Sequence, residues 1–178
     1  MFENFLARLR GELTLKQLVK RGLKLGKNPC IQKRVIIDDS HAWLIEIGDN
    51  VQIASNTHIL AHDGSTQHYC GYTKLGRVTI GNNVFIGSSC VILPGVTIGD
   101  NSIIGSNSVV SRDVPANVMA IGSPAKPICG IEEYKQKIEE QMKTARIYDK
   151  SYTLRGGITE AKKQEQKEDL KSKIGYII

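Results

Sequence analysis

Among the 178 residues there is one tryptophan, three phenylalanines and four histidines, and no histidine lies beyond residue 68. Aromatics are too few, at 6%, to supply the stacking rows of a nucleic-acid-binding surface. No recognisable nucleic-acid motif accompanies them, so nucleic acid is not an expected partner. The four cysteines (Cys30, Cys70, Cys90, Cys129) form no Cys-x-x-Cys pair. That spacing argues against a zinc ribbon and a secreted disulfide framework, and predicts reduced thiols. No apolar run approaches the ~18 residues of a membrane span. Residues 1–10 carry Glu3 and lack the uninterrupted apolar stretch of a signal peptide, so the expectation is a soluble, cytoplasmic protein.

What is present is rhythm. Ile47, Ile53 and Ile59 recur every six residues, and so do Ile80, Ile86, Ile92, Ile98, Ile104 and Val110. A helix cannot use that period. The residue after each is small in most cases (Gly48, Ala54, Gly81, Gly87, Gly99, Gly105, Ser111). Pairs such as Asp49-Asn50, Asn82-Asn83, Asp100-Asn101 and Ser106-Asn107 follow, and these tolerate turn or left-handed backbone. Each hexapeptide therefore reads as a short strand and a corner. Three of them make one triangular turn of about eighteen residues, and stacked turns align the aliphatic side chains in inward columns.

These repeats resemble the hexapeptide-repeat acyltransferases, whose fold is a left-handed parallel β-helix. The resemblance spans about residues 45–128, and it alone supplies the hand of the coil, which contradicts the usual right-handed crossover. The predicted architecture is an all-β solenoid of hexapeptide repeats with short N-terminal and C-terminal helices. Residues 1–27 would be a helical cap, 28–128 the acyltransferase body and 129–178 a C-terminal helix with a charged tail.

The interval from Ile59 to Ile80 is 21 residues, not a multiple of six, so the chain must leave the coil over about residues 64–77. That segment is polar and glycine-rich, with two tyrosines, and reads as an extruded substrate lip. His62 falls at a corner directly before it. An imidazole there suits the proton removal that O-acylation requires. The stretch Thr57-His-Ile-Leu-Ala-His-Asp-Gly-Ser-Thr66 is similar to the histidine region of the sugar and polysaccharide O-acetyltransferases. The resemblance makes His62 the general base, and Asp63 beside it is assigned to the acceptor. His41, His58 and His68 read as structural or peripheral.

Residues 78–115 are similar to the galactoside and maltose acetyltransferase branch. That resemblance implies acetyl-coenzyme A as donor, with Ser88 beside the thioester and Ser106 along the pantetheine. Ser111 and Arg112 match a Thr-Lys pair, and Lys126, in Ala120-Ile-Gly-Ser-Pro-Ala-Lys-Pro127, matches the cation at the coenzyme's phosphates. Two positions depart from the branch: Phe85 stands where many relatives have tryptophan, and Cys129 where a second phosphate-binding arginine is found. Some left-handed β-helices resemble γ-class carbonic anhydrases, which hold zinc with three histidines between subunits. The absence of histidine after residue 68 argues against that class, and no metal is expected.

The implied function is transfer of an acetyl group from acetyl-coenzyme A to a sugar hydroxyl, in bacterial surface polysaccharide synthesis, by a homotrimer. The alternatives are N-acetylation of a nucleotide-linked amino sugar and a non-catalytic trimeric scaffold. Residues 1–27 hold seven Lys/Arg against two Asp/Glu. Phe2, Phe5, Leu6 and Leu9 share one helical face, and Thr14 and Gln17 form a capping box opening a second helix. Capping of the coil is the plainer reading. Peripheral membrane contact through Arg8, Arg10, Lys16, Lys20, Arg21 and Lys24 is the alternative.

Overall fold

The computed structural model describes residues 13–178. The expected helix over residues 2–9 lies outside the described residues. The chain divides into two compact units, residues 1–131 and 132–178.

The first unit opens with the helix Leu15–Lys20. Its capping box forms as the sequence predicts: Gln17 N–H donates to Thr14 Oγ1, and Thr14 N–H donates to Gln17 Oε1. From Lys24 onward the chain visits three parallel sheets in rotation. The first face holds Lys24–Leu25, Ile45–Ile47, Val78–Ile80 and Thr97–Ile98. The second holds Cys30–Ile31, Gln52–Ile53, Phe85–Ile86, Ile103–Ile104 and Val118–Gly122. Ile36–Ile37, His58–Ile59, Val91–Ile92 and Val109–Val110 form the third. Ala125–Gly130 closes the second face by pairing antiparallel with Val118–Gly122.

Register locks the aliphatic columns together. Ile86 pairs with Ile104, Ile92 with Val110 and Ile80 with Ile98, each 18 residues apart. Ile53, Ile59, Ile86, Ile92, Ile98 and Ile104 have no exposed surface, so the column is the core. Burial of each such side chain contributes roughly 1.5–3 kcal/mol.

Circuits lengthen at two places. Pairs across the 64–77 region, such as Ile59 with Ile92, are 33 residues apart. Pairs across the first circuit, such as Ile37 with Ile59, are 22 apart, because a short 3-10 turn, Ala42–Leu44, is inserted. Both insertions leave the same edge, the one between the third and first faces. The longer one is ordered: His62–Asp63 pairs antiparallel with Lys74–Leu75, and Ser65–Cys70 is a helix. Gly71, at φ 73°, ends that helix in the left-handed region that glycine occupies without cost. Gly76 then returns the chain against Pro94 and Gly95, where a Cβ would come within 2.3 Å of backbone.

The edge between the first and second faces carries an amide ladder. Asn28, Asn50, Asn83, Asn101 and Asn117 all have φ between 53° and 61°. Each of the first four donates its side-chain N–H to the next one's Oδ1 at 3.0–3.1 Å. Asparagine suits both demands, since it tolerates left-handed backbone and carries a donor and an acceptor on one side chain. Replacing Asn83 with alanine should therefore destabilise the unit by about 1–3 kcal/mol, from the left-handed alanine plus two lost hydrogen bonds. Urea unfolding at fixed protein concentration measures it; an unchanged midpoint would show the ladder to be decorative.

In the second unit the helix Ile131–Met142 leads to Arg146–Tyr148, which pairs in parallel with Gly175–Ile177. The helix Glu160–Asp169 lies between them in sequence. Tyr148 is buried and its hydroxyl donates to Asp169 Oδ2 at 3.0 Å. Among the described residues no helix is long and apolar enough to cross a membrane.

Candidate active site

The two insertions on one edge bring together residues far apart in sequence. Asp38 ends the third-face strand of the first circuit, just before the inserted turn, and His62 occupies the matching corner one circuit on. The Asp38 side chain is 1% exposed, yet it is not orphaned. Ser40 Oγ donates to Oδ1 at 2.7 Å, with the backbone N–H groups of Ser40 and His41 behind it at 3.2 and 3.3 Å. Ala61 N–H donates to Oδ2 at 3.0 Å, and His62 Nδ1 lies 2.5 Å from the same oxygen.

Burial alone would raise the Asp38 pKa. The hydrogen bonds from Ser40, His62 and Ala61, with the charge of His62, outweigh it and hold the carboxyl below its usual range. Asp38 is thus a carboxylate at neutral pH and can only accept, so His62 Nδ1 carries the ring proton. The other nitrogen, Nε2, keeps its lone pair. The side chain is 38% exposed, so that lone pair can meet a solvent-borne substrate. A carboxylate fixing the tautomer and orientation of an exposed imidazole is the arrangement of a general base.

His41, expected to be peripheral, lies beside this pair, its ring centroid 5.2 Å from that of His62. On its other side is Trp43, 5.3 Å away and 57% exposed. His58 sits on the third face, half-buried. His68 is exposed on the Ser65–Cys70 helix. Asp63, just before that helix, accepts Ser65 N–H at 2.9 Å, a bond that also lowers its pKa.

The remaining sequence candidates fall into two groups. Ser88 and Ser106 stack on successive circuits of the edge between the second and third faces, with Ser88 N–H donating to Ser106 Oγ at 3.2 Å. Gly87 allows this approach, because a Cβ there would lie 2.5 Å from Ser106 N. Lys126 is exposed on the returning strand, paired with Ile121, where that strand nears the same edge. Ser88 also lines a groove of about 290 Å³ with Ser55, Gln52 and Phe85. Ser111 and Arg112 are exposed on the other edge, the one that carries His62, two circuits further along. Within one chain, then, His62 and Ser88 are separated by the width of a face, roughly 15 Å at ~3.3 Å per residue.

Two neighbours of His62 were not found from sequence as such: Asp38, which holds its ring, and His41, which packs beside the pair without a part in the transfer. Their signal was present: Leu25, Ile31 and Ile37 continue the six-residue rhythm upstream, and the interval from Ile37 to Ile47 is ten. That break marks the first insertion.

The family described as bacterial transferase hexapeptide (six repeats) matches residues 77–112. Protein CapG of Staphylococcus aureus is 44% identical over 144 residues, which cover 76% of this chain and 82% of CapG. The galactoside O-acetyltransferase of Escherichia coli is 46% identical over 101 residues, 55% of this chain and 48% of that protein, so the chain spans about half its length. Among solved structures, a maltose O-acetyltransferase of Clostridium difficile superposes with a TM-score of 0.55 at 27% identity, covering 72% of this chain and 83% of the other. A hexapeptide-repeat acetyltransferase of Vibrio cholerae complexed with acetyl coenzyme A gives 0.53 at 26% identity, over 63% and 73%. With the repeat, its register and these matches agreeing, the chain belongs to the hexapeptide-repeat acetyltransferase family.

Proposed function

We propose that this protein transfers the acetyl group of acetyl-coenzyme A to a hydroxyl of a sugar, with His62 as general base and Asp38 as the residue that positions it. The buried carboxylate that commits the Nδ1 proton of an otherwise exposed imidazole carries this reading. A catalytically silent scaffold would have no use for it, since taking a charge out of water costs several kcal/mol that its partners must offset, whereas apolar residues of similar volume would fill the corner without that cost. His62 Nε2 takes the acceptor's proton as its oxygen attacks the thioester carbonyl. The developing oxyanion would be met by Ser88 or neighbouring backbone N–H groups, and the coenzyme thiolate leaves.

The three faces are read as a left-handed parallel β-helix, the hand shared with the family. Ser88, Ser106 and Lys126 form the donor strip on one edge, while His62, Ser111 and Arg112 occupy another. Because a face separates them, a complete site needs two chains, and a trimer in which one chain's His62 edge meets its neighbour's donor strip supplies it. Similarity to a galactoside and a maltose O-acetyltransferase favours a sugar acceptor.

The test is a free-thiol release screen with acetyl-coenzyme A against simple sugars, nucleotide-linked amino sugars and lipid-linked glycans. Turnover with a hydroxyl acceptor is expected. Turnover confined to an amino sugar would replace O-transfer by N-transfer, and none with any acceptor would favour the scaffold.

A further inference from the structure

The Asp38 carboxylate faces two imidazoles, and only one of them has a task in acetyl transfer. His41 Nδ1 lies 4.0 Å from Asp38 Oδ1, while His62 Nδ1 lies against the other oxygen, Oδ2. One nitrogen from each ring and one Asp38 oxygen lie within 4.8 Å of one another. Two imidazoles and a carboxylate make the donor set that zinc and copper favour over magnesium or calcium. Zinc holds such ligands at about 2.0–2.2 Å, so the set closes with ring rotations about a carboxylate that four donors besides His62 already fix. Both imidazoles are partly exposed, at 24% and 38%, which leaves an ion an entry path and the rings room to turn.

We propose that Asp38, His41 and His62 form an inhibitory site for a divalent transition metal, Zn²⁺ or Cu²⁺. A neutral imidazole has one ring proton. In the resting site it sits on Nδ1, against Asp38, and Nε2 is free to act as base. A metal ion at His62 Nδ1 needs that lone pair, so the proton passes through solvent to Nε2. No proton is gained or lost, but the outward nitrogen becomes a donor and can no longer accept a proton from the acceptor. Inhibition thus works by tautomer, without blocking the donor groove on the other edge. The inhibitory half rests on His62 being the base; the binding half does not.

The experiment uses the full chain after chelator treatment, titrated with Zn²⁺ by calorimetry and with Cu²⁺ by fluorescence. Trp43 is the sole tryptophan and lies 5.3 Å from His41, so Cu²⁺ held there quenches the tryptophan signal. One ion per chain is expected, with acetyl transfer falling over the same Zn²⁺ range and Mg²⁺ inert. In H41Q the affinity should drop at least about tenfold, with metal-free turnover within about twofold of wild type. Calorimetry and quenching need no turnover, so binding is read even if that variant is slow. Absence of binding in wild type overturns the proposal. So does binding unchanged in H41Q, as the exposed thiols of Cys30 and Cys70 would give. Binding that depends on His41 but leaves turnover intact overturns the inhibition alone; the role of His62 as base is read separately, from the metal-free turnover of H62A.

Discussion

Replacing His62 with alanine is expected to lower kcat by about two to four orders of magnitude while acetyl-coenzyme A still binds, as a missing general base should. The prediction separates chemistry from donor recognition because the proposed donor strip lies on an edge other than that of His62. His62 lies on the edge between the third and first faces, and Ser88, Ser106 and Lys126 lie on another. Its side chain is partly exposed, so truncation opens no core cavity and the fold should survive, leaving Asp38 with its Ser40 and Ala61 donors. Initial thiol-release rates and calorimetry with coenzyme A give the two readouts. Turnover within a few-fold of wild type would remove His62 from the chemistry. Loss of donor binding in step with rate would instead make it a donor contact.

How far the sequence foretold this site depended on which periodicities were followed. The inward isoleucines are legible because burial in a narrow core admits little else every sixth position. From Ile80 to Val110 the strands and their 18-residue pairing follow directly. His62 was legible for the same reason inverted: it stands where the count breaks. Asp38 was not, because a carboxylate in a polar Asp-Asp-Ser-His run reads as solvated surface. It becomes a buried acceptor only when Ala61, 23 residues on, supplies a backbone donor. The rhythm of Leu25, Ile31 and Ile37 and its ten-residue gap would have exposed that corner. The excursion itself reads as a loop because almost none of its side chains packs inward. Its short helix is held by local bonds, from Ser65 N–H to Asp63 and from Lys74 N–H to Thr66 Oγ1, that no apolar pattern announces.

Asp38→Asn should be nearly as damaging to turnover as the loss of the imidazole, about two to four orders of magnitude, although it changes a single atom. The carboxylate accepts on both oxygens: Oδ1 from Ser40 Oγ and two backbone N–H groups, Oδ2 from Ala61 N–H and His62 Nδ1. An amide must turn its NH₂ toward one of these sets. Facing His62, it donates to Nδ1, drives the ring proton to Nε2 and removes the base, while opposing Ala61 N–H. Facing Ser40, it opposes two backbone donors. Either way a buried donor is left unmatched, at about 1–3 kcal/mol of stability. Because the native Asp38 pKa is lowered, its carboxylate stabilises the fold above the ordinary carboxylate range near pH 4, and that contribution fades as pH falls toward the lowered value. Unfolding midpoints measured from pH 7 down to about 3 should therefore fall more steeply for wild type than for Asp38→Asn. Parallel curves would show that the buried carboxylate does not stay ionised in its corner, and full turnover in the Asp38→Asn variant that it does not set the tautomer of His62.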